Sequence, residues 1–193
     1  MRTEAGVASA AALSGGDLMP TEIPGLVAAA QNVLLQGLEL LGMSEQQYAQ
    51  IIAAPFDASI GQHYRHVVEH FQCLVLGTAL SEVNYDARPR NRRIETDKEF
   101  AAKVTRDLIR DLDSWDESTL GRICTAVSSV DYESESPSSI SSSLARELAY
   151  CIGHTIHHYA IIRLACGQIG VIVPARFGYA PSTIRHQHTL AGG

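Results

Sequence analysis

The stretch SLARELAYCIGHTIHHYAIIRLAC, Ser143 to Cys166, decides the fold. On a helical wheel at about 100° per residue, Leu144, Leu148, Ile152, Thr155, Tyr159 and Ile162 gather on one side, the stripe a bundle helix buries. Glu147, Cys151, His154 and His158 form a second stripe along its margin, while His157 points nearly the opposite way. The i,i+4 spacing lets His154 and His158 grip one ion from a single helix face. Helical histidine pairs in zinc proteases use the same geometry, but the glutamate of H-E-x-x-H is absent here. The periodic pattern as a whole runs from Ile140 to Gly167.

Working outward, Ile60, Tyr64, Val67, Phe71, Leu74 and Val75 predict a second amphipathic helix from Ser59 to about Leu80. It carries His63, His66 and His70 on one face. If the two helices pack side by side, one of these histidines completes a three-histidine site in the bundle. Three neutral imidazoles suit zinc, nickel or ferrous iron and leave a further position for water or substrate. The last two of the eight histidines, His186 and His188, lie in a polar tail after Pro174 that shows no periodicity, and they read as solvated.

A further helix is expected after Pro20, with Thr21 as its cap, Pro24 in its first turn, apolar positions from Leu26 to Leu41, and Gly42 as its end. Ser44 to Ala54 suggests a short helix closed by Pro55. Residues 82–96, with Pro89, four arginines and two glutamates among them, read as a long connection. Thr96 with Glu99 resembles a capping box opening another helix, with Phe100, Val104, Leu108 and Leu112 inward. Residues 119–133 lack helical period and suggest a short strand pair, followed by a Ser-rich segment around Pro137. The expected fold is therefore mainly all-α, a four-helix bundle with a short β-hairpin before the last long helix. Residues 21–193 are read as one domain and 1–20 as a mobile N-terminal tail. No dinucleotide fingerprint, Walker loop or nucleophile elbow is present.

Composition narrows the function classes. The chain has 193 residues, a formal charge of -6 and 19% charged residues, which excludes a highly charged disordered protein. Arg88, Arg90, Arg92 and Arg93 make only a weak case for nucleic acid in an acidic chain. Four cysteines without a C-x-x-C pair favour a reduced, cytoplasmic protein, and no run reaches the length of a membrane span.

The segments SIGQHYRHVVEHF (59–71), YDARPRNRRIETD (85–97), ELAYCIGHTIHHYAIIRL (147–164) and FGYAPSTIRH (177–186) together resemble the DinB/YfiT-like metalloenzyme family. The resemblance implies a four-helix bundle, commonly a homodimer. It also implies one divalent ion held by a histidine of the second helix and two histidines, four apart, of the last long helix. By position these are His66, His154 and His158, with His63 and His70 as additional ligands or supporting groups.

Such an ion is a Lewis acid that lowers the pKa of water or a thiol. Thiol transfer, the activity of some relatives, is the favoured reading, with a low-molecular-weight thiol as the small-molecule partner. Metal-dependent hydrolysis and a non-catalytic metal-binding stress-response role are the alternatives. Candidate catalytic carboxylates are Glu147, beside His154, and Asp86 from the long connection; Glu69 and Glu95 are also near in sequence. Arg65, Arg88 and Arg90 could clamp an anionic substrate. Cys151, between Glu147 and His154, is either a soft ligand or a structural thiol.

Overall fold

In the computed structural model, residues 24–53, 57–133 and 136–191 are described. The expected tail, the Thr21 cap and Pro55 lie outside them. Four long helices form the bundle: α1 (Pro24–Leu40), α3 (Ile60–Leu80), α5 (Lys98–Asp113) and α7 (Leu144–Gln168). α7 packs against α3 and α1, and α5 closes the other side against the same two helices. The apolar stripes meet in one core that includes Leu34, Tyr64, Phe71, Leu112, Leu148, Tyr159 and Ile162. The expected α7 stripe is buried except at Ile152, which is partly exposed.

Short elements connect the long ones. The helix expected after Ser44 is α2 (Glu45–Ala49), opened by a capping box between Ser44 and Gln47. Ser59 and Gln62 form the same device at the start of α3. The segment 82–96 is not a plain connection: it contains strand β1 (Glu82–Asn84) and helix α4 (Arg92–Thr96). Asp97, rather than Thr96, caps α5, its Oδ1 accepting from the backbone N–H of Phe100 at 2.9 Å. A carboxylate one residue nearer the helix is the better placed acceptor, and Thr96 instead donates to the Arg92 carbonyl.

After α6 (Glu117–Leu120) the chain forms β2 (Ile123–Ser128) and β3 (Ser138–Ser143). The strand pair expected within 119–133 is thus only one strand there. Its antiparallel partner comes from the Ser-rich segment, with Ala126 opposite Ile140 and Cys124 opposite Ser142. β1 adds to the other side of β2 in parallel, Val83 opposite Ala126, giving the order β1-β2-β3. Residues 140–143, which continue the helical period in sequence, therefore belong to the sheet. α7 starts at Leu144 because the Ser143 hydroxyl accepts from the Arg146 N–H. The polar tail likewise contains a helix, α8 (Pro181–Ala191), opened by Pro181 at the position that tolerates proline best. Among the described residues no helix is long and apolar enough to cross a membrane.

One close approach positions the site. A Cβ on Gly61 would lie 2.0 Å from the Glu95 carbonyl oxygen, so only glycine lets α4 rest on the start of α3. That contact anchors the far end of the segment carrying Tyr85, Asp86 and Arg88.

Candidate metal centre

His66 from α3 and His154 and His158 from α7 come together where these two helices pack. One ligand nitrogen from each lies within 4.8 Å of the other two. His66 Nε2 and His154 Nε2 are 2.9 Å apart, a spacing short enough for two ligands of one ion with metal–nitrogen bonds of about 2.1 Å. Burial, reinforced by neighbouring imidazoles, holds His66 down to about 2, His158 to about 3 and His154 to about 4. All three are thus neutral at pH 7, the protonation state in which imidazole binds a metal. Donor type, spacing and charge state together fit a divalent ion.

The neighbouring histidines have other contacts. His63 Nδ1 lies 3.2 Å from His158 Nδ1, and neither residue lines the cleft described below. His70 is buried, donates from Nδ1 to the His66 carbonyl at 2.7 Å and stacks on the Tyr85 ring. That bond ties together two successive turns of α3. His157 is exposed, as its place on the wheel predicts, and His186 and His188 are exposed on α8.

A cleft of about 850 Å³ opens beside His66 and His154. One wall is the β2–β3 hairpin with Ile123, Ala126, Ile140, Ser141 and Ser142, and the other comprises Tyr85, Asp86, Arg88, Arg146, Glu147 and Tyr150. Tyr150 stacks on His154, ring centroids 5.5 Å apart. The Arg146 guanidinium lies 5.7 Å over the Tyr150 ring.

Both candidate carboxylates line this cleft, and both are engaged. Glu147 is fully buried and accepts from the Tyr85 hydroxyl at 2.8 Å, from the Ser142 hydroxyl, and from Arg146 at 3.1 Å. It holds the hairpin and the Tyr85 segment to α7 instead of orienting an imidazole. Asp86 accepts from the N–H and hydroxyl of Ser129, at 2.6 and 2.8 Å, joining the ends of β1 and β2. Glu69 accepts from the Asn91 N–H at 2.6 Å, and Glu95 pairs with Arg65 at 2.5 Å.

The arginines separate in the same way. Arg65 is held by Glu95 and Glu69 and does not line the cleft; Arg90 is exposed and does not line it either. Arg88 does, reaching His66 Nδ1 at 3.1 Å and His70 Nε2 at 3.2 Å. Cys151 is buried, 3.7 Å from the Tyr85 hydroxyl, and burial pushes its thiol up to about 12, so it stays a protonated packing group. All four cysteines are free and buried. Sequence reasoning passed over Tyr85, Arg146, Tyr150 and the hairpin serines. The available signal was the row Arg146, Tyr150, His154, His158, repeating every four residues along one helix edge.

A four-helix bundle with three imidazoles converging beside an open cleft defines a class of helical proteins with a candidate metal centre. The sequence model of the DinB superfamily matches residues 27–162, and the chain belongs to that family. The crystal structure of a DinB-like protein from Bacillus subtilis, YjoA, aligns with a TM-score of 0.55 at 18% identity, covering 81% of this chain and 99% of that one. At that identity the likeness speaks for the fold. A protein from Rhizopus delemar named FK506-binding protein 5 is 34% identical over 109 residues, 56% of this chain. The aligned part covers 28% of that relative, so much of its length has no counterpart in the match.

Proposed function

We propose that this protein holds one divalent ion with His66, His154 and His158 and is a metal-dependent transferase acting on a small thiol. The observation that carries this reading is the pairing of a three-imidazole cluster with an open cleft in which the lining carboxylates are already committed. When bound, the ion supplies Lewis acidity that makes a thiol ionise near neutral pH. Hydrolysis also needs a general base beside the attacking water. Among the described residues no carboxylate hydrogen-bonds any of the three imidazoles, and Glu147 and Asp86 serve as structural acceptors. A thiol has less need of such a base, since it ionises more readily than water.

The chain's own residues then bind and orient. Tyr150 stacks on His154 and fixes its ring, while Tyr85, held by Glu147, backs His70. Ile123 and Ile140 line the cleft with apolar surface for the electrophile. Zinc, nickel and ferrous iron all suit an all-imidazole donor set. The family resemblance further supports a homodimer, which light scattering of the purified protein checks.

The test is metal analysis of tag-free protein, followed by incubation of the loaded protein with low-molecular-weight thiols and alkylating electrophiles. Thioether formation that is abolished by removing the ion is the expected result. Ester or amide cleavage without thioether formation overturns the transferase reading in favour of hydrolysis. Inactivity towards both substrate sets, with metal bound, favours a structural ion.

A further inference from the structure

Arg88 is half-buried in the cleft, and among the described residues it makes no ion pair. Its acceptors are the neutral imidazoles of His66 and His70. The carboxylates nearby have other partners: Glu69 holds Asn91 and lies 3.9 Å from Arg65, Asp86 holds Ser129, and Glu147 holds Tyr85, Ser142 and Arg146. A guanidinium withdrawn from water without a counter-charge is costly, and a divalent ion at the adjacent histidines raises that cost.

The hydrogen bonds carry the same message. Guanidinium only donates, so His66 Nδ1 accepts from Arg88 and the ring's proton sits on Nε2. If His66 held an ion through Nε2, the ring's proton would sit on Nδ1, which could then no longer accept. The Arg88 N–H that meets His66 would then be left to whatever enters the cleft, while the same nitrogen keeps His70 Nε2 as an acceptor.

Arg88 is also firmly placed. Asn84 Oδ1 accepts from the N–H groups of Asp86 and Ala87, each at 3.1 Å, and Asn91 is tied to Glu69 at 2.6 Å. Pro89 restricts Arg88 to extended backbone, and Arg90 turns the chain at φ 50°.

We propose that Arg88 anchors the carboxylate of an organic acid, so that the molecule bound beside the three histidines is an anion. Resting on the thiol reading above, the substrate is a thiol that carries a carboxylate. A single unpaired guanidinium matches one monoanionic, planar group. A phosphate dianion calls for more positive charge, and Arg146 is already paired with Glu147.

Titration calorimetry of the full-length, metal-loaded protein tests this with two matched pairs: 3-mercaptopropionate against 3-mercaptopropionamide, and butanoate against butanamide. Wild type is expected to bind each acid about tenfold or more tightly than its amide. Arg88→Gln, and independently Arg88→Met, erase that preference while leaving amide affinity and ion content unchanged. Arg146→Gln retains it. No preference in wild type, a preference surviving both Arg88 replacements, or its loss in Arg146→Gln overturns the anchor. So does tighter binding of methyl phosphate than of either acid. The thiol-free pair separates this inference from the transferase reading. An Arg88-dependent preference for butanoate with no gain from the thiol supports the anchor and counts against thiol chemistry; tight thiol binding without acid preference does the reverse.

Discussion

His154 and His158 on α7 and His186 and His188 on α8 are pairs of the same residue on successive helices, and they end in opposite surroundings. The α7 pair is half-buried against His66, whereas the α8 pair is exposed. Part of the difference is spacing: residues four apart share a helix face, and residues two apart do not. The rest is the partner. α7 packs along α3, which brings a third imidazole to the same point, while α8 carries a run of exposed residues. A histidine cluster becomes a candidate site when a second element meets its face.

The contrast predicts its largest effect in metal content. His154→Ala with His158→Ala is expected to strip the ion from tag-free protein, and His186→Ala with His188→Ala to leave it unchanged, as read by elemental analysis. Equal losses in both variants would break the comparison.

The next effect is on pH dependence. The folded chain holds His66, His70, His154 and His158 at about 2 to 4 by burial, below the roughly 6.5 of an unfolded histidine. The unfolded chain therefore binds protons that the folded chain excludes. Stability of the metal-free protein is expected to fall as pH drops below about 6.5 and to keep falling towards pH 4. Chemical denaturation at a series of pH values measures the slope. Replacing His154 and His158 by Asn should flatten it.

Glycines sharpen the same lesson about partners. Gly61→Ala drives a methyl into the Glu95 carbonyl and should destabilise by about 1–3 kcal/mol or more. Gly153, one residue before His154 and exposed, has nothing within 4 Å of its added Cβ. Gly153→Ala should stabilise by about 0.5–1 kcal/mol, both changes being read in urea unfolding. Smaller than the Gly61 effect, Ser59→Ala removes half of the α3 capping box and should cost about 1 kcal/mol.

The long helices could be read in the chain because each lays a continuous apolar stripe on the core, as Tyr64, Phe71 and Leu74 do on α3. β3 was hidden because five of its six residues are serine and its burial pattern does not alternate; its pairing to β2 and the Ser142–Glu147 bond hold it in place. α8 was hidden because a mostly exposed helix has little apolar periodicity to show. Within the site, the histidines stood out by type and spacing. Tyr85 and Arg146 did not, since a cleft exists only once the hairpin folds back over the first turns of α7.

By itself, the sequence determined that His154 and His158 share a face and that His157 does not, because helix geometry follows from the local backbone. The family resemblance implied His66 by position, but only the tertiary structure brings a nitrogen of His66, among the three α3 histidines, together with both members of that pair, since this depends on how α3 and α7 are rotated against each other. It also decided that Glu147 and Asp86 are structural acceptors and that Arg88 has no ion pair among the described residues. Those outcomes depend on partners from four separate stretches of chain, and no spacing within one stretch encodes which charge is left over when they assemble.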